Sequence, residues 1–349
     1  MNHGKRHLLG WLFASLALAG SASAQATDNT PALTTVGQAG AAYRAPGVPD
    51  NYVITPGGYF DPACVQHIAP GEALQGDGQV RQANGRMRQV APCTRPHFTR
   101  DGVALAPGEG AEQSPVRVRS LAKAAGTPTA QPDIAHAYVE SATWVASNNQ
   151  MRRMTADWVV PTNPSVVSNG VVFFFPGLED LSNVRSILQP VLGYNAYSSN
   201  GVANHIWTIA SWNCCIAGNV FSSDAVQTYP GNRIHGEMVM DCPVGTNCQR
   251  WTVTTTDQTM GNTTTLANTD TIDQEFDWVF GVAMEVYGIT NCRQYPRDGS
   301  MTVSNIQLWD LNNTPVTPSW SGTGSTTSLQ PSCLYHVDAT RADAITISY

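Results

Sequence analysis

The chain has few charges and no long basic stretch. Only 13% of its 349 residues are charged and the formal net charge is −7. This composition excludes an intrinsically disordered chain and argues against a nucleic-acid partner. After the N-terminus there is also no apolar run near the roughly 20 residues that a membrane span needs. We therefore expect a globular protein that binds neither nucleic acid nor membrane.

Several common catalytic motifs are missing. The sequence has no G-x-S-x-G elbow, no H-E-x-x-H, no P-loop and no EF-hand loop. The histidines of the second half have neither i, i+4 nor metal-ligand spacing: His136, His205, His235 and His336. We therefore expect no metal and no cofactor. A Ser-His-Asp triad stays open, because its members need not be neighbours in sequence.

The first 24 residues have the pattern of a secretory signal peptide. Lys5 and Arg6 precede an apolar run at residues 8–19, and Ala22-Ser23-Ala24 supplies a small-residue cleavage site. The sequence predicts a mature chain that begins near Gln25 and is secreted, to the cell exterior or the periplasm. An uncleaved anchor is the alternative.

Eight cysteines are informative in an exported protein, where disulfides persist. Two lie in the first half and six in the second: Cys64 and Cys93, then Cys214, Cys215, Cys242, Cys248, Cys292 and Cys333. The even number in each half predicts two separately bridged units. Cys242 and Cys248 bracket a short loop and are the one pair that we predict. The other connectivities stay open.

Composition divides the rest of the chain in two. Residues 25–132 are rich in Gly, Pro and Ala with weak periodicity, and no lysine follows Lys123. We place a boundary near Asp133 and expect a loosely structured N-terminal pro-region or spacer at 25–132. A catalytic domain at 133–349 would follow, although a plain N-terminal domain fits the composition equally well.

Beyond the boundary, short runs of β-branched and aromatic residues alternate with turn residues. The pattern predicts an all-β fold, an antiparallel β-sandwich of the jelly-roll or concanavalin-like kind. The expected strands are residues 155–160, 170–175, 186–192, 205–212, 233–240, 250–256, 276–289 and 301–309.

The longest of these strands gives the first pointer to chemistry. Period-2 alternation places Phe276, Trp278, Phe280, Val282, Met284 and Val286 on one face, and Asp277, Val279, Gly281, Ala283, Glu285 and Tyr287 on the other. Glu285 would then project from the less bulky face. A carboxylate within an apolar strand is costly to bury unless it is hydrogen-bonded, solvated or protonated. A solvent-facing glutamate on a half-exposed strand is the plain alternative.

Four segments, in order along the chain, resemble the eqolisins, a family of fungal glutamic peptidases. Residues 186–194 (SILQPVLGY) resemble the family's "ILQxG" strand, and residues 283–289 (AMEVYGI) resemble the strand that carries its catalytic glutamate. Residues 209–213 are similar to its "YEWYP" segment, and residues 154–161 to its "ATANVPS" strand. Neprosin-type peptidases are similar in plan but use two glutamates, whereas this chain has Gln189 at the first position.

The resemblance implies a peptidase whose catalytic residues are Gln189 and Glu285. Glu285 would take a proton from water and pass it to the leaving amine, while Gln189 would orient the water and donate to the oxyanion. Trp212, Tyr194 and Glu179 would contact substrate, Glu179 near the family's aspartate. Ser211 stands where the family has an acidic residue, and Phe175 replaces the tryptophan of its "WVGIDG" segment. These departures leave specificity open.

The expected partner is a polypeptide substrate, and we expect a monomer. Two other functions remain open at this stage. A non-catalytic, lectin-like sandwich would bind polysaccharide through Trp212, Trp309 and Trp320, since aromatic faces stack on sugar rings. A glycosidase would need a facing carboxylate pair such as Glu237 and Glu285.

The low-lysine composition favours tolerance of acid, because few carboxylate–lysine pairs would be lost on protonation.

Overall fold

The computed structural model describes residues 45–75, 78–100, 102–107, 138–146, 149–166, 169–182, 186–196, 204–271, 274–324 and 332–349. All of them fall in one compact unit, Pro31–Tyr349. The predicted signal peptide and the predicted boundary between residues 132 and 133 lie outside the described residues.

The N-terminal block, residues 45–107, is more regular than its composition predicts. It contains β1 (Val53–Thr55), β2 (Gly58–Phe60), β3 (Val65–Ile68), β4 (Ala73–Leu74), β5 (Gln79–Arg81), β6 (Met87–Gln89), β7 (His97–Phe98) and β8 (Ala104–Leu105). Strands β1, β2, β7 and β8 form one small sheet and β4, β5 and β6 another, while β3 joins a larger sheet. A one-turn 3-10 helix at Pro62–Cys64 precedes β3.

Sheet A is the larger of two main sheets. Its spatial order is β22 (Ser321–Thr323), β9 (Glu140–Val145), β19 (Trp278–Tyr287), β11 (Val171–Glu179), β12 (Ile187–Tyr194), β13 (Trp207–Ile216), β14 (Asn219–Ser223) and β3, with β15 (Val226–Thr228) also paired to β13. All of its pairs are antiparallel except β14 with β3.

Sheet B packs against one face of sheet A. Its spatial order is β18 (Asn262–Asp270), β17 (Arg250–Asp257), β16 (Arg233–Met240), β10 (Met151–Val159), β20 (Ser300–Asp310), β24 (Ile345–Ser348) and β23 (His336–Asp338), with β21 (Pro315–Val316) paired to β20. A further one-turn 3-10 helix lies at Cys292–Gln294. The predicted antiparallel sandwich is confirmed, and all eight predicted strands are present, with bounds that differ by a few residues.

Apolar side chains fill two layers. The interior layer, between the sheets, joins Phe174, Leu192 and Trp207 of sheet A to Met154 and Trp251 of sheet B. The second layer lies on the opposite face of sheet A, which the N-terminal block covers with a second set of side chains: Ala45, Val48, Tyr52, Val53, Ile54, Tyr59 and Phe60. We call this second face of sheet A the covered face.

The face assignment of the long strand β19 needs correction. A β-bulge between Phe280 and Val282 inserts one residue, Gly281, and so shifts the alternation by one. Trp278 and Phe280 therefore share the covered face with Glu285, whereas strict alternation put them on the other face. Glu285 does not project from a less bulky face.

The disulfides respect the two halves of the chain. Cys64 pairs with Cys93 inside the N-terminal block, and the remaining pairs are Cys214–Cys215, Cys242–Cys248 and Cys292–Cys333. The predicted Cys242–Cys248 pair is present, and each half of the chain is bridged only within itself. No disulfide ties the N-terminal block to the sandwich. Within the described ranges, no helix is long and apolar enough to cross a membrane.

A buried carboxyl in the interior layer predicts how stability depends on pH. Glu140, on β9, is fully buried, and burial raises its pKa from 4.5 to about 9 although a backbone hydrogen bond from His336 opposes the shift. Between about pH 4.5 and 9 the folded chain holds a proton that the unfolded chain has released. The free energy of unfolding therefore falls as pH rises through this window.

Glu140→Gln removes that ionisation with little change of shape. We expect urea unfolding of the variant, with disulfides intact, to show a smaller loss of stability between about pH 4.5 and 9 than the unsubstituted chain shows. Some loss remains, because burial also raises the pKa of Glu285 to about 8. If the free energy of unfolding fell equally with pH in both chains, a buried, neutral Glu140 would be contradicted.

Candidate active site

Sheet A brings the two predicted catalytic side chains to one face. Gln189 on β12 and Glu285 on β19 are both fully buried. By strand alternation Gln189 shares the face of Ile187 and Val191, which belong to the same apolar layer as Tyr287, the neighbour of Glu285. Both side chains therefore point to the covered face, away from sheet B.

The strand register separates their backbones along a diagonal of the sheet. Glu285 is opposite Phe173 on β11, which is opposite Gly193 on β12, and Gln189 lies four residues before Gly193. In a flat sheet that offset and two strand spacings would put the Cα atoms about 16 Å apart. No hydrogen bond joins the two side chains, so the curvature of the sheet decides whether they converge.

Two contacts of Gly57, in the N-terminal block, set an upper limit on the distance between the ends of this diagonal. The Gly57 N–H donates to Glu285 Oε1 at 3.1 Å, and a Cβ on Gly57 would lie 3.2 Å from Cys214 Sγ. Cys214 lies on β13, the strand next to that of Gln189, and is opposite Ile187. Ile187 is two residues from Gln189, so Cys214 continues the diagonal that runs from Glu285 through Gln189. Glu285 Oε1 and Cys214 Sγ are thus no more than about 9 Å apart, given standard backbone dimensions.

The diagonal is therefore strongly concave, as the twist of a multistranded sheet allows. Gln189 lies on the strand between its two ends, so its side chain rises from the floor of the same hollow. The turn between β1 and β2, with Gly57 at its tip, sits over this hollow. We call residues 53–60 the covering hairpin.

Several buried polar atoms of the hollow have no partner among the described residues. They include both polar atoms of the Gln189 amide and Oε2 of Glu285, with Ser222 Oγ and Trp278 Nε1 on the same face. Buried polar groups are almost always hydrogen-bonded, so these atoms are exceptions among the described residues. The Gln189 amide alone offers two donors and one acceptor.

Glu285 is held in its neutral form. Burial raises its pKa from 4.5 to about 8, although the Tyr287 hydroxyl, the Gly57 amide and the charge of Arg100 each favour the ionised form. Oε1 accepts the Gly57 N–H and is also hydrogen-bonded to the Tyr287 hydroxyl. While the covering hairpin is in place, Glu285 is a carboxylic acid at neutral pH.

A second carboxyl, Glu179, lies on the same face. On β11 it is opposite Ile187, which makes it the diagonal neighbour of Gln189 on the adjacent strand. Burial raises the pKa of Glu179 well above its ordinary value, and the charge of Asp180 raises it further. The covered face thus contains two buried acids, Glu179 and Glu285. Both lie on strands to the same side of β12, and measured along the strands they lie in opposite directions from Gln189.

The two predicted aromatic contacts have different positions. Trp212 is opposite Gln189 on β13, fully buried on the covered face. Tyr194 instead points into the interior layer, where its ring centroid lies 5.1 Å from that of Trp207. Because Tyr194 is an odd number of residues from Gln189, alternation puts its side chain on the opposite face of sheet A.

Sequence reasoning missed three residues of the hollow. Tyr287 was recoverable, because it lies two residues from Glu285 on the same strand and so shares its face. Gly57 lies in a Pro-Gly-Gly turn between two strand-like runs, which indicates a hairpin but not where the hairpin docks. Cys214 carried no signal beyond its adjacency to Cys215.

The structure does not assemble the alternative sites. Trp309 lies on the outer face of sheet B with the Arg153 guanidinium 4.4 Å from its ring, whereas Trp212 is buried and the Trp320 indole donates to Ala342 O. Glu237 belongs to sheet B and pairs with Arg153, so it does not face Glu285. Within the described ranges, no group of three or more His, Cys, Asp or Glu could hold a metal ion.

No protein family model and no curated protein matches the chain. Among solved structures, the chain is similar to Scytalido-glutamic peptidase with a peptide-based transition state analog, at 12% identity, TM-score 0.45, and 61% of this chain against 98% of that one. It is also similar to SCP-B, a member of the eqolisin family in complex with the tripeptide Ala-Ile-His, at 11% identity, TM-score 0.43, and 61% against 98%.

A third similarity is to aspergilloglutamic peptidase from Aspergillus niger, at 13% identity, TM-score 0.33, and 51% of this chain against 98% of that one. All three are peptidases of the glutamic or eqolisin kind, the family whose motifs the sequence resembles.

Proposed function

We propose that this protein is a secreted, acid-acting glutamic endopeptidase in which Glu285 activates water and Gln189 stabilises the oxyanion. The observation that carries the proposal is the concave diagonal of sheet A. A buried carboxylic acid and a buried amide share the covered face of sheet A, and each has polar atoms without a partner among the described residues, which supports the proposal. Such a desolvated hollow strengthens electrostatic interactions with reacting groups.

Peptide hydrolysis needs only these two groups and one water. Ionised Glu285 takes a proton from the water as its oxygen bonds to the scissile carbonyl carbon, and the carbonyl oxygen gains the negative charge. The Gln189 N–H groups donate to that oxyanion. The carbonyl then re-forms as the C–N bond breaks, and Glu285 returns its proton to the departing nitrogen.

The covering hairpin explains why the intact chain would be inactive. A protonated Glu285 cannot accept a proton from water, and the Gly57 amide occupies its Oε1 atom. Removal of the hairpin would restore solvent to the carboxyl and lower its pKa toward the ordinary value. We propose that residues 25–132 are a pro-region, released from the enzyme at 133–349.

Two further features support this arrangement. The only disulfide of the N-terminal block is internal, so the block can leave without reduction of a bond to the sandwich. Four disulfides also suit an oxidising compartment outside the cytoplasm. The proposed substrate is a polypeptide, and the proposed enzyme acts as a monomer without a metal.

The catalytic assignment predicts the loss of activity in two variants. At about pH 4, near the usual pKa of a glutamate, Gln189→Ala should lower kcat for casein-derived peptides by roughly 100- to 1,000-fold. Glu285→Gln should cost roughly 100- to 10,000-fold, the usual contribution of a general acid–base group. Glu237→Gln and Gln307→Ala, matched changes on the outer face of sheet B, should retain full activity.

Cleavage at the unsubstituted rate by either Glu285→Gln or Gln189→Ala, with the fold intact by circular dichroism, would remove the assignment. Chelators, pepstatin and serine-directed reagents should leave the unsubstituted enzyme active.

The pro-region hypothesis predicts a specific processing event. Full-length protein incubated at acidic pH should acquire a new N-terminus near residue 130, detectable by N-terminal sequencing and coincident with the appearance of activity. The same incubation of Glu285→Gln should leave the chain intact, because the cut depends on the enzyme's own site. If Glu285→Gln acquires that terminus at the same rate, the chain does not process itself.

A further inference from the structure

Tyr287 stands between the catalytic carboxyl and the covering hairpin. Its hydroxyl lies 3.0 Å from the carbonyl oxygen of Thr55 and is also hydrogen-bonded to Glu285 Oε1. A tyrosine hydroxyl has one hydrogen to donate. Two acceptors therefore compete for it while the hairpin is docked.

One arrangement of protons satisfies the contacts of Tyr287 with Thr55 and Glu285 and that of Gly57 with Glu285. If Glu285 keeps its proton and donates it to the Tyr287 oxygen, Tyr287 can donate its own hydrogen to Thr55. The Gly57 N–H, 3.1 Å from Oε1, can donate to that oxygen in either state. Burial favours the neutral acid that this arrangement requires, whereas a hydrogen bond donated by Tyr287 to Oε1 would favour the carboxylate.

The other groups around Glu285 do not compete with Tyr287. Arg100 acts through its charge alone, and Phe173 opposite on β11 is apolar. Tyr59 of the hairpin packs edge-on against the Tyr287 ring at 5.0 Å, and its hydroxyl accepts the Ala45 N–H. Glu140 on the adjacent strand belongs to the interior face. Among the described residues, Tyr287 is the one side chain that hydrogen-bonds to Glu285.

We propose that Tyr287 is a positioning residue that sets the protonation state of Glu285, and that the hairpin selects which acceptor receives the Tyr287 hydrogen. With the hairpin docked, the hydrogen goes to Thr55 and Glu285 remains an acid. When the hairpin leaves, Thr55 leaves with it, and Tyr287 donates to Glu285 Oε1. This stabilises the carboxylate and leaves Oε2 free for water. The inference rests on the proposed function of Glu285.

The test is a titration of the Glu285 carboxyl by carbon-13 NMR in the full-length chain, with the resonance assigned by its loss in Glu285→Gln. Gly57→Pro supplies an open background, because proline has no N–H and cannot adopt the φ of +122° found at Gly57. Faster amide exchange in residues 53–60 should verify the opening. Tyr287→Phe is then compared in the closed and open backgrounds.

In the open background, Tyr287→Phe should raise the pKa of Glu285 by roughly one unit, since a hydrogen bond to a charged group is lost. In the closed background the same change should not raise it, because there Tyr287 accepts from the neutral acid. A rise of the same size in both backgrounds, or no rise in the open one, would overturn the proposal. In the processed enzyme, Tyr287→Phe should also shift the acidic side of the pH profile of kcat/KM to higher pH by roughly one unit.

Two features keep the outcome interpretable. If Tyr287→Phe does not fold, 3-fluorotyrosine keeps the ring and the hydroxyl but makes it a stronger donor, so it should lower the pKa of Glu285 in the open background. No change there would also overturn the proposal. The titration needs no turnover, so failure of the peptidase assignment is seen separately, in the activity of Glu285→Gln.

Discussion

The burial of sheet A on both faces is the constraint on which the rest of the structure depends. Sheet B covers one face and the N-terminal block covers the other, so every residue of β11, β12 and β19 is buried. Such strands must be almost continuously apolar, and a polar residue within them is costly. Gln189 and Glu285 are therefore exceptions that need a reason, and a reaction that proceeds out of bulk water supplies one.

The sequence predicted those parts of the structure that depend on local pattern. Runs of β-branched and aromatic residues were enough to find eight strands, and the short loop between Cys242 and Cys248 was enough to pair them. Alternation failed at Gly281, because a bulge there is stabilised by tertiary packing, including a close approach of Ile345 Cδ1 that a Cβ would prevent. The docking of the hairpin joins Gly57 to Glu285 across the whole chain, so no local pattern contains it.

Linkage limits what acid alone can do to the covered site. The docked hairpin raises the pKa of Glu285, so the closed form binds a proton that an open form would release, and acid favours closure through this group. Acid must therefore act on other contacts or on the connecting chain. One such contact joins His67 of β3 to Asp224 beyond β14.

The hydrogen bonds that the hairpin makes with Glu285 and Tyr287 of β19 come from its main chain. Gly57 offers its N–H to Glu285 and Thr55 offers its carbonyl to Tyr287. A glycine is required at the tip, since φ is +122° and a side chain would meet Cys214. The hollow thus already holds peptide N–H and C=O groups beside the carboxylic acid. A site that accepts the main chain of its own N-terminal block has the donors and acceptors to accept the main chain of another polypeptide. A sugar has no peptide main chain with which to make the same hydrogen bonds.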